Sequence, residues 1–72
     1  MKAIYAIMND ERHLLNIRRF NMDDVPIWNS FREKRFWFTV SFEQAEVQKI
    51  LLKRIGQKCN IVKIMEVESE NP

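Results

Sequence analysis

The apolar positions of the chain fall into separate runs, and their spacing changes from one run to the next. Residues 2–8 (Lys-Ala-Ile-Tyr-Ala-Ile-Met) are apolar on both sides of a two-residue repeat and read as a strand. Asn9-Asp10-Glu11-Arg12 is a polar turn, and residues 13–20 (His-Leu-Leu-Asn-Ile-Arg-Arg-Phe) read as a second strand. The short connection predicts an antiparallel hairpin. Residues 35–40 (Arg-Phe-Trp-Phe-Thr-Val) are aromatic and β-branched, which suits a pleated surface. Alternation puts Phe36, Phe38 and Val40 on one face, and Arg35, Trp37 and Thr39 on the other. Residues 60–67 return as a strand.

Between the last two runs the period changes to that of a helix. Val47, Ile50, Leu51 and Ile55 form an i, i+3, i+4 stripe, and it is this stripe that is expected to meet the sheet. Ser41 and Gln44 have the spacing of a capping box, in which each side chain satisfies the other residue's backbone N–H. Glu43 and Glu46 lie near the positive end of the dipole, and Lys53 and Arg54 near the negative end. Gly56 supplies the left-handed stop. The helix is therefore placed at 42–55.

Residues 21–34 are the least regular part. Asn21, Asp23 and Asp24 are turn or cap residues, and Pro26 suits the first turn of a short helix with Val25, Trp28 and Phe31 or Arg32 at helical spacing. An irregular loop, or the first arm of a hairpin ending at Arg32-Glu33-Lys34, fits nearly as well.

The resulting order is β-β-(short α or loop)-β-α-β. The expected fold class is α+β: a four-stranded mixed sheet with one long helix packed on one face. Strand 35–40, the helix and strand 60–67 form a βαβ unit with parallel strands, and a strand of the hairpin can lie between them. Residues 1–67 make one domain, and residues 68–72 a short acidic tail expected to fray.

Composition adds limits. The chain has 72 residues, of which 46% are hydrophobic and 31% charged, which suits a folded domain. A domain of this size has a small core and usually gains stability from disulfides, a metal or another chain. Cys59 is the only cysteine and His13 the only histidine, so neither an internal disulfide nor a zinc cluster of the usual kind can be built. A homodimer is one way to gain core. The apolar run after Lys2 is too short for a leader and is followed at once by Asp10, Glu11 and Arg12. No stretch reaches the ~20 apolar residues of a membrane span. With the lone thiol, this leads to the expectation of a cytoplasmic protein. Net charge is +2, but residues 1–63 hold all 12 Lys and Arg, while residues 64–72 hold Glu66, Glu68 and Glu70 and no base.

The candidates for chemistry are few. His13 beside Asp10 and Glu11 has the residue types of an acid–base pair, but sits at a hairpin mouth. Asp23-Asp24 offers too few ligands for a calcium loop. Cys59 has no second histidine to activate it, and Gly56 alone cannot form a phosphate-cradling loop. The expectation is no enzyme, no catalytic residue, no metal and no cofactor, unless a composite site forms across a dimer.

One helix covers one side of the sheet, which leaves the other side for a partner. If Leu15 and Ile17 face the helix, the open face carries Tyr5, Arg18, Phe20, Arg35 and Trp37. Aromatic and arginine side chains dominate protein-binding hot spots. The plainer alternative is that Met22, Trp28 and Phe31 fold across that face as a second small core. Arg19, Arg32 and Lys34 add charge for phosphates or an acidic partner. The first expectation is thus a small protein-binding module acting on a larger protein, as an inhibitor, adaptor or regulator of the kind phages and mobile elements also carry. The second is nucleic-acid binding through the same Arg/Trp face. No membrane partner is expected.

Overall fold

A computed structural model describes residues 2–30, 33 and 35–66. Strands β1 (Lys2–Asn9), β2 (Leu15–Phe20), β3 (Pro26–Trp28) and β4 (Phe38–Thr39) precede helix α1 (Phe42–Arg54) and strand β5 (Cys59–Glu66). The fold is α+β with one helix, but the strands form two sheets, β4-β1-β5 and β2-β3, and every pairing is antiparallel. This corrects the expectation of one four-stranded mixed sheet.

The cause of the division lies in β2. Leu15 pairs with Trp28 and Phe20 with Pro26, so five steps along β2 answer two along β3. Arg19 takes a left-handed φ of 68° within this bulge. A bulge bends its strand. After the Met8–Leu14 bridge β2 therefore leaves β1. The segment before β4 fills the gap: Phe36 bridges Asn16, Trp37 N–H donates to Leu15 C=O at 2.8 Å, and Ile17 N–H to Arg35 C=O at 3.3 Å. The chain then shifts partners, and Phe38 and Thr39 pair with Ala6 and Tyr5 of β1.

Asn29 fixes this junction. It is buried, its Oδ1 accepts from Asn16 Nδ2, and its Nδ2 donates to Arg35 C=O, both at 2.6 Å. Residues 26–28 form an edge strand and not the first turn of a helix. Pro26 begins it, where a missing N–H costs least. The β2–β3 turn is closed by Asn21, whose Oδ1 accepts from the N–H groups of Asp23 and Val25.

β1 runs unbroken against β5, from Lys2↔Glu66 to Asn9↔Cys59. Because β4 and β5 are both antiparallel to β1, they are parallel to each other with β1 between them, as the βαβ reading allowed. Ser41 caps α1, its Oγ accepting from Gln44 N–H at 3.2 Å. The return bond of the expected capping box is replaced: Ser41 N–H donates to Thr39 Oγ1 instead. At the other end Gly56, at φ 85°, donates to Lys53 C=O, and Gln57 N–H donates to Leu52 C=O. Such a left-handed end satisfies the last free carbonyls.

The core is small. Ile7, Leu15, Leu52 and Cys59 form its centre, with Phe20, Trp28, Trp37 and Ile61 packed around them. Antiparallel partners point to the same side, so Ile7 and Ile61 mark the helix side of the main sheet. The other side carries Ile4, Met8, Val62 and Ile64, all partly buried, and Phe38.

Candidate functional site

The side chains expected to make one open face do not meet there. Tyr5 lies on the helix side, edge-on to Phe42 with ring centroids 5.3 Å apart. Phe20 and Trp37 pack against the core cluster. The bulge turns Phe20 inward and leaves Ile17 half exposed, the reverse of simple alternation from Leu15. In residues 36–40 the parity is also opposite to the expected one. Trp37 faces the core, while Phe38 and Val40 are exposed.

Arg18 and Arg35 do remain at the surface, where both line a shallow depression with Asn16, Ile17, Ile27 and Glu33. Arg19 reaches toward α1, its Nη1 donating to Gln48 Oε1 at 3.0 Å. Arg32 and Lys34 lie outside the described residues, as does Phe31. Of the other residues expected to cover the sheet, Trp28 joins the core, with its Nε1 donating to Gln57 Oε1 at 3.1 Å, while Met22 is fully exposed.

The helix provides the surface that the sequence reading assigned to the core. Its buried positions are Ala45, Gln48 and Leu52. Val47, Ile50 and Leu51 turn away from them, and Ile55, the C-cap, lies on the Gln48 flank; each of these side chains is 45–51% exposed. At about 100° per residue the two sets spread over about 220° of the helix, more than the ≳100° stripe that a helix on a single sheet requires, with Gln44, Gln48, Glu43 and Arg54 interspersed. On the buried side Leu52 fills the core and Ala45 is fully covered. The larger aliphatic side is left facing outward. Leu51 and Ile55 also border a shallow dip against Phe20 and Asp24 of the β2–β3 hairpin. Periodicity alone finds this stripe; the width of the arc was the signal that α1 has two apolar sides.

The chemical candidates are modest. His13 Nδ1 lies 3.9 Å from Glu11 Oε1 at the hairpin mouth, and His13 N–H donates to Asn9 Oδ1. Cys59 is buried, and burial raises its thiol pKa against the opposing pull of Lys53 and Lys49. Among the described residues no group of three or more His, Cys, Asp and Glu side chains is placed to hold a metal ion. None of their helices is long and apolar enough to cross a membrane. No family model matches the chain, and neither a curated protein nor a solved structure matches it.

Proposed function

We propose that the chain is a non-catalytic protein-binding module, an inhibitor, adaptor or regulator, that docks through the outer side of α1. The observation that carries this reading is the half-exposed stripe Val47, Ile50, Leu51 and Ile55. Single exposed aliphatic residues are ordinary, but a contiguous patch on one helix is a feature of interaction surfaces. The partner it fits presents an apolar strip of its own to this stripe.

Completing the burial of each half-exposed side chain is worth about 1 kcal/mol, so the stripe alone contributes about 4 kcal/mol. Association costs at least about that much. A stable complex therefore also needs the surroundings of the stripe: the dip beside Phe20 and Asp24, or the charges that flank α1.

The test is retention of proteins from an extract of the source organism on immobilised chain. Wild type is compared with Leu51→Asp and with a control, Val40→Asp, at an exposed site away from the stripe. A protein held by wild type and the control but lost by Leu51→Asp is expected. Equal retention by all three would sink the reading.

Nucleic-acid binding is the second reading. Arg18 and Arg35 on one depression favour it, since two guanidinium groups suit phosphates. The aromatic side chains that would stack bases pack elsewhere. Binding of single-stranded DNA or RNA that weakens steeply with salt would support it.

A further inference from the structure

We propose that the partner of α1 is a second copy of this chain, packed antiparallel across a two-fold axis that passes between Val47 and Ile50. This rests on the protein-binding reading above and names its occupant. The outermost row of the helix is Glu43, Val47, Ile50 and Arg54, all exposed. Their steps of four, three and four residues are those of a helix–helix seam. Read backward, the row is its own complement. An antiparallel copy sets Val47 against Ile50 and Glu43 against Arg54, and each contact occurs twice. An interface about a two-fold axis must be self-complementary in this way. The order of charge selects the direction: a parallel copy would set Glu43 beside Glu43 and Arg54 beside Arg54. The helix dipoles also oppose one another in the antiparallel arrangement. Leu51 borders the seam on the side of the hairpin and closes it against water.

Charge reversal tests both the partner and the direction. Glu43→Arg and Arg54→Glu change exposed side chains, and circular dichroism of each dilute variant checks that the helix is kept. Analytical ultracentrifugation of wild type from micromolar to millimolar concentration is expected to show a monomer of 8.8 kDa passing to a dimer. Each variant alone is expected to dimerise at least tenfold more weakly. An equimolar mixture of the two is expected to recover wild-type association. In the mixed dimer the two changed positions face each other with opposite charges, and the unchanged Arg54 of one chain faces the unchanged Glu43 of the other. If either variant loses its helix, Ile50→Asp takes its place and is expected to remain monomeric. A wild-type monomer at all concentrations would overturn the proposal, as would a dimer indifferent to these changes. In either case, loss of a heterologous protein on Leu51→Asp would leave the protein-binding reading standing.

Discussion

Trp37 and Phe38 are neighbours in sequence and point to opposite sides, so truncating each to alanine tests which face of this segment is inside. Trp37 packs against the cluster of Ile7, Leu15, Leu52 and Cys59 and is partly buried. Replacing a fully buried Trp or Phe by alanine costs about 3–5 kcal/mol; with partial burial, Trp37→Ala is expected to cost about 2–3 kcal/mol. For a domain of this size each kcal/mol moves the melting temperature by about 4–8 °C, which gives a fall of about 10–20 °C. Phe38 is 51% exposed, and its nearest aromatic partner is Phe36 at 5.8 Å. Its truncation is expected to cost about 1 kcal/mol or less. Thermal melts followed by far-ultraviolet circular dichroism measure both, at a dilution where the wild-type melting point no longer depends on concentration. Phe38→Ala costing as much as Trp37→Ala, or more, would refute the face assignment and restore the alternation expected from sequence.

Other outcomes follow from the same contacts. Asn29→Ala leaves Asn16 Nδ2 without its acceptor and Arg35 C=O with the longer bond from Ile17 N–H, and is expected to lower stability by about 1–3 kcal/mol in urea titration. Gly56→Ala has open space for the methyl group but keeps a φ of 85°, so backbone strain alone should cost about 1 kcal/mol in the same assay. Cys59 has its folded pKa raised by burial, so its contribution is fully present below the unfolded thiol pKa and is lost as pH rises through the folded one. The alkaline fall in melting temperature should therefore shrink in Cys59→Ala. Thiol reagents at neutral pH should label native Cys59 far more slowly than the unfolded chain.

Helix α1 was legible almost to the residue, because its start and stop signals are local: Ser41 accepts from Gln44 N–H, and Gly56 takes the left-handed conformation. Which of its sides meets the sheet was not legible. Hydropathy favours the aliphatic stripe, whereas the side that is buried carries Ala45, Gln48 and Leu52. Residues 36–39 have aromatic side chains on both faces, so alternation fixed the strand but not its parity. Parity is set by contacts distant in sequence, above all Trp37 N–H to Leu15 C=O and the bridge of Phe36 to Asn16. The bulge in β2 carried no local mark, since the left-handed residue is Arg19 and not a glycine. That bulge split the sheet and moved Phe20 inward; with Tyr5 against Phe42 and Trp37 against the core, the five expected residues do not share a face.

The outward placement of the α1 stripe is tested by the melting curve of Ile50→Asp in dilute solution. Ile50 is 51% exposed at the centre of the outer row of α1. A helical, cooperatively folded protein that melts within about 8 °C of wild type is expected, since only about 1 kcal/mol of partial burial is lost. A chain that no longer folds, or one that melts more than about 20 °C lower as expected for a charge placed in a core, would contradict it.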